Sequence, residues 1–134
     1  MAKAKRVTYF KTKLENKPGA LLALAKDLQA KKAGLIALKG MAHGDVGEIL
    51  VVAKDPEKLR ETWSASGILA EEGIAFFLDG ADKTGALVDS LNALAGAGVN
   101  IAAIEAVTAG ASFGAIFWVS PEDLDKATQV LGAK

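Results

Sequence analysis

The sequence predicts an α+β protein built from two βαββαβ repeats, with antiparallel sheets and helices on one face of each. Three observations predict it. Strand-like and helical apolar spacings follow one another in that order, twice. Gly19-Ala20-Leu21 recurs 66 residues later as Gly85-Ala86-Leu87. Asp55-Pro56-Glu57-Lys58-Leu59 recurs 65 residues later as Ser120-Pro121-Glu122-Asp123-Leu124. A unit of about 65 residues is too long for a solenoid and has the size of a small domain. The arrangement is ferredoxin-like, and the 134 residues divide at 1–72 and 73–134. The second repeat ends at Lys134, just past Leu131, so it lacks most of its last strand.

Each element has a local reason. Val7 to Leu14 alternates Thr8, Phe10, Thr12 and Leu14 against Val7, Tyr9, Lys11 and Lys13, which is a strand. Glu15-Asn16-Lys17-Pro18-Gly19 is a turn, and Pro18 suits the start of a helix. Leu21, Leu24, Ala25 and Leu28 then make one helical stripe, which Gly34 ends. Leu35–Ala42 and Glu48–Lys54 read as strands joined through His43-Gly44-Asp45-Val46-Gly47. Asp55 caps a helix with Pro56 at its first position and Leu59 and Trp63 inward, ending at Ser66-Gly67. Ile68–Asp79 is extended. The order then begins again: helix Ala86–Ala97, strands Val99–Val107 and Phe113–Val119, and a helix with Leu124, Ala127 and Leu131 inward. That last helix opens on a Ser-x-x-Asp capping box, Ser120 to Asp123. Phe117 and Trp118 are adjacent, so one faces the helices and the other the open sheet face, where an aromatic favours a packed interface.

Composition narrows the function classes. Sixteen basic and 16 acidic residues cancel, which argues against nucleic acid. The absence of cysteine excludes a disulfide scaffold, a thiolate metal site and a Cys nucleophile. No run approaches the roughly 18 apolar residues of a membrane span. Lys3, Lys5 and Arg6 read as a solvated tail, with no signal-peptide core behind them. The expectation is a cytoplasmic protein with no membrane partner. Its 51% apolar content includes 26 alanines and suggests surface hidden in an oligomer.

Asn16-Lys17-Pro18-Gly19-Ala20-Leu21 followed by an Ala/Leu helix resembles the signature of the ACT domain, a small regulatory fold that binds amino acids. Asp82-Lys83-Thr84-Gly85-Ala86-Leu87 and Gly98-Val99-Asn100-Ile101 resemble the same family, so the resemblance spans Val7 to Leu131 as two ACT-like copies. The copies depart from the pattern in complementary places: Thr84 replaces the proline, and Lys32 and Gly34 stand where the second copy has Gly98 and Asn100. The physical reading of the loops is direct. A helix N-terminus offers unpaired N–H groups and a positive dipole to a carboxylate. Gly19 and Gly85 admit close approach. Asn16 and Asp82 have oxygens for an α-ammonium. The same Asn-x-Pro-Gly string is also simply a good turn in which Asn16 caps the helix.

The resemblance implies a ligand at an interface between two such domains, between loop and second strand. The candidate ligand residues are Asn16, Pro18, Gly19, Ala20 and Leu21 in the first copy. In the second they are Asp82, Gly85, Ala86, Leu87, Asn100 and Ile101. No catalytic residue, metal or cofactor is expected. His43 is the single histidine and reads as an exposed turn residue, and adjacent Glu71 and Glu72 face opposite ways. The serines lack a nucleophile elbow, and Gly96-Ala97-Gly98 lacks the rest of a dinucleotide fingerprint. The expected partners are a free amino acid or similar zwitterion, a second copy of the chain, and a regulated enzyme or regulator on another chain. The competing reading is an interaction module of the same fold without a ligand site.

Overall fold

The computed structural model describes residues 4–80 and 83–133. It contains β1 (Ala4–Glu15), α1 (Ala20–Ala30), β2 (Leu35–His43), β3 (Val46–Ala53), α2 (Pro56–Ser66) and β4 (Glu71–Gly80). There follow α3 (Lys83–Gly96), β5 (Ile101–Ala109), β6 (Ser112–Val119), a single 3-10 turn at Pro121–Asp123, and α4 (Leu124–Leu131). The fold is α+β, with six strands and four helices among the described residues and antiparallel pairing at β1–β3, β2–β3, β4–β6 and β5–β6.

The chain forms two compact units. The first is Thr8–Gly73, with strand order β2-β3-β1-β4. Its core joins Phe10, Ile49 and Val51 of the strands to Leu24 and Leu28 of α1 and Leu59 and Trp63 of α2, so both helices cover one sheet face. Phe10 lies opposite Val51, and Thr12 opposite Ile49, which fixes this face by the period of two. Thr12 is buried there and donates its hydroxyl to the Ile68 carbonyl at 2.7 Å. α2 forms as expected: the Asp55 carboxylate accepts from the Lys58 N–H, Pro56 opens the helix, and Gly67 ends it at φ 74°.

The second unit takes residues 4–7 of β1 together with the chain from Ile74 onward, in the order β1-β4-β6-β5. Of the basic start, Lys5 and Arg6 are therefore strand and not tail, and Lys3 lies outside the described residues. Lys5 and Arg6 are exposed, but Ala4 is buried in a core with Phe76, Leu78, Leu94 and Phe117. Phe76 and Phe117 stack at 5.7 Å between ring centres. The two cores are filled from matching positions: Phe10 and Phe76, Leu28 and Leu94, and Val51 and Phe117 are each 66 residues apart. Trp118 is buried outside the helix-facing core, as alternation from Phe117 requires.

Three local details differ from the sequence reading. The β2–β3 connection is two residues, Gly44-Asp45, because His43 pairs with Val46 and Gly44 takes φ 63°. Glycine at the first position of a two-residue hairpin suits the strand twist, and Gly110 does the same between Ala109 and Ser112 at φ 59°. The capping box at Ser120 is not made. Ser120 bonds Asp123 through its backbone carbonyl, and the Asp123 carboxylate accepts from the Asn100 N–H at 3.3 Å instead. Lastly, Lys32 sits at φ 57°, and Gly98, 66 residues further on, at φ 73°. A left-handed lysine carries about 1–2 kcal/mol of strain. Lys32→Gly is therefore expected to be neutral or to stabilise by up to about 1 kcal/mol, after the entropy cost of glycine. A urea melt reads the sign, and a clear loss of stability would contradict the assignment.

Polar ties hold the far face and the α2 side of the first unit. The Tyr9 hydroxyl donates to Glu71 at 2.6 Å, and Lys11 lies 3.5 Å from the same carboxylate. That hydroxyl bond, ahead of Lys11, holds the Glu71 carboxyl below its ordinary range. A Cβ on Gly73 would fall 2.8 Å from the Tyr9 ring, so a larger residue there would displace the ring's outer end. Arg60 lies over the Phe10 ring at 5.6 Å and donates to both Glu72 oxygens, tying α2 to the start of β4.

Candidate functional site

β1 ends at Glu15, and the chain must turn before α1. Pro18 biases Lys17 away from helical backbone, and Gly19 takes φ 87° as the N-cap of α1, with no side-chain cap. The loop is tied to the β2–β3 hairpin. The Asn16 N–H donates to the Asp45 carbonyl and its side-chain amide to the Gly44 carbonyl, both at 2.8 Å. Asn16 thus anchors the hairpin and does not cap the helix. Its Oδ1 accepts no hydrogen bond among the described residues. Ala20 donates to the Lys17 carbonyl and Ala23 to Gly19, while Leu21 and Leu22 N–H groups have no acceptor among the described residues.

Between this loop and the hairpin lies an open cleft of about 210 Å³. Leu14, Glu15, Asn16, Lys17, Ala20 and Leu21 line one side, and Gly40, Met41, Ala42, Gly47 and Ile49 the other. Its volume is below the roughly 300–1,000 Å³ typical of drug-sized ligands. The interior is mostly aliphatic, and charge sits at the loop, where Lys17 Nζ lies 3.1 Å from Glu15 Oε2. The space exists because two strand residues have no side chain. A Cβ on Gly40 would lie 3.2 Å from Ile49 Cδ1, and one on Gly47 3.6 Å from the Leu14 carbonyl.

Of the expected ligand residues, the structure brings Asn16, Ala20 and Leu21 together at this cleft, with Pro18 and Gly19 shaping the loop behind them. The second-copy set is arranged differently. Asp82 lies outside the described residues. Gly85 falls inside α3, which starts at Lys83, three residues ahead of Ala86, the position matching the start of α1. The physical reason is Thr84: without a proline there, the preceding residue is free to be helical. Ala86 is buried in the core, and Leu87 and Ile101 pack against it. Asn100 is exposed and held through its N–H by Asp123. His43 is exposed at the end of β2, and among the described residues no group of three or more His, Asp or Glu forms a metal-binding cluster.

The sequence reading missed the hairpin half of the cleft. Its signal was present in Gly40 and Gly47, since glycine inside a strand often marks a close approach by a ligand or another backbone.

No protein-family model matches the chain, and no curated protein matches it. Solved structures do. Protein BT0572 from Bacteroides thetaiotaomicron is similar with a TM-score of 0.81 and 22% identity, over 96% of this chain and 88% of that one. The ligand-free regulatory subunit of aspartate kinase from Thermus thermophilus aligns with a TM-score of 0.60 and 13% identity, over 98% and 94%. A putative C-terminal regulatory domain of aspartate kinase from Porphyromonas gingivalis aligns at 0.56 and 17%, over 98% and 94%. The chain thus shares its fold with these regulatory parts of aspartate kinase. Its neighbours of that fold are regulatory parts of an enzyme. No described helix is long and apolar enough to cross a membrane.

Proposed function

We propose that this chain is a non-catalytic regulatory protein that binds a free amino acid, or a similar small zwitterion, at the loop of its first ACT-like copy. The observation that carries the reading is the cleft itself. It combines the Asn16 Oδ1, unpaired N–H groups at the start of α1 and aliphatic walls in a space of about 210 Å³. Partial positive charge at a helix start favours a carboxylate. In this reading each copy is a ferredoxin-like domain, 1–72 and 73–134, and residues 4–7 supply the strand that the second copy lacks.

Binding regulates only if the ligand prefers one of two states. We place that choice at an interface with a second copy of the chain, which closes the open cleft. Exposed apolar residues support it. Leu22 and Val88, Leu38 and Ile104, and Met41 and Val107 are exposed pairs, each 66 residues apart. They lie on α1 and α3 and on β2 and β5, strands at the ends of their units' orders. An end strand with apolar side chains invites pairing. The regulated enzyme or regulator is on another chain, in the cytoplasm.

A thermal-shift screen against the twenty amino acids tests the proposal. Ligand at 100 times its Kd adds about 2.7 kcal/mol, which for a chain of this size is several degrees in Tm. At least one amino acid is expected to shift the midpoint at millimolar concentration. The second reading, an interaction module with no ligand, draws on the Asn16 amide being committed to Gly44. A chain that forms dimers but shows no shift with any amino acid favours that reading.

A further inference from the structure

The loop carries a pair of opposite charges that neither the fold nor the hairpin uses. Glu15 and Lys17 pair with each other at 3.1 Å, and both side chains are mostly exposed, at 76% and 63%. Their backbones are fixed. Glu15 is the last residue of β1 and lies opposite Val46 of β3. The Lys17 N–H donates to the Glu15 carbonyl at 2.9 Å, and Asn16 between them is bonded twice to the hairpin. Both residues line the cleft, and behind them the walls are Leu14, Leu21, Met41 and Ile49.

We infer that Glu15 and Lys17 recognise the two charged ends of an amino acid whose side chain is aliphatic or a thioether. The inference rests on the amino-acid-binding reading and goes further, to the recognising residues and the side-chain class. An exposed ion pair contributes little to stability, so opening it costs little. The arriving ammonium replaces Lys17 at Glu15, and the arriving carboxylate replaces Glu15 at Lys17, aided by the free N–H of Leu21, which lines the cleft. One solvent-weakened contact becomes two charge-assisted hydrogen bonds. With Glu15 and Lys17 so engaged, the other lining side chains carry no charge and Asn16 alone among them is polar, so a charged side chain finds no ionic partner and its burial is unfavourable. A leucine- or methionine-like side chain fits, and Met41 adapts to its shape.

The test is a calorimetric titration of the full chain with leucine, methionine, lysine, aspartate, leucinamide and N-acetyl-leucine. Leucine and methionine are expected to bind about tenfold or more tightly than lysine or aspartate, and than either blocked leucine. Lys17→Met should erase most of the preference for leucine over leucinamide, and Glu15→Gln that over N-acetyl-leucine. Both positions are exposed, so the variants should melt like the parent without ligand. Tighter binding of lysine or aspartate, or variants that keep both preferences, would overturn the inference and leave amino-acid binding standing. Failure of all six ligands and of every other amino acid would overturn both.

Discussion

Trp63→Ala is expected to destabilise the first unit by about 3–5 kcal/mol, the range for truncating a buried aromatic. Trp63 is fully buried on α2 and packs in one core with Phe10, Leu28, Leu59 and Val51. That core also contains Ile49, a wall of the cleft, so the loss reaches the candidate site. Against a typical total of about 5–15 kcal/mol, this leaves little margin. Trp63→Phe should be far milder, at about 1 kcal/mol. It keeps a ring in place and removes an indole N–H that is buried with no acceptor among the described residues, an arrangement that itself costs about 1–3 kcal/mol. Chemical denaturation reads both variants. Equal losses would show that the indole N–H has a partner, or that the core collapses readily around the gap.

Gly19→Val is expected to abolish ligand-dependent stabilisation and to cost about 1–3 kcal/mol without ligand. Gly19 takes φ 87° at the N-cap of α1. No atom lies within 4 Å of a Cβ placed there, so the penalty is conformational and not a clash. A β-branched residue is the worst choice for a left-handed backbone. To relieve the strain the loop must turn, which moves the N–H groups of α1 and the Asn16 anchor together. Gly19→Asn provides the comparison, because asparagine tolerates this region and its Cβ meets no neighbour. It should retain most of the stability and most of the binding. Thermal shifts with and without the bound amino acid separate the two effects. If valine binds ligand as well as glycine does, the loop is not the site.

The fold was legible where one residue decides one feature. Asp55 and Pro56 set the start of α2 and Gly67 its end. The alternation around Phe10 chose the face that the helices cover. The 66-residue spacing of Gly19-Ala20-Leu21 and Gly85-Ala86-Leu87 is also the spacing of Phe10 and Phe76 in the two cores. What stayed hidden depends on long-range pairing. Nothing local in Ala4-Lys5-Arg6 shows that Ala4 enters a core whose other members begin near Phe76. Short-range chemistry also misled at Ser120, where the capping-box pattern is present but Pro121 opens a 3-10 turn, and Asp123 bonds Asn100 instead. The site was half legible. A turn-plus-helix motif is written in consecutive residues, so Asn16 and Leu21 could be read. The opposing wall comes from the absence of side chains at Gly40 and Gly47, which matters only once β2 and β3 are registered against Leu14 and Ile49.

The proposed function stands on an amino acid binding in the cleft beside the Asn16–Gly19 loop. The most direct measurement is an NMR titration of the isotopically labelled chain with the amino acid that gives the largest thermal shift. Saturable amide shifts are expected at Asn16, Ala20, Leu21, Leu22, Gly40 and Met41, far larger than those in the helix-facing core around Phe76. Saturable shifts centred on other residues, or none at these positions at saturating ligand, would contradict the proposed function.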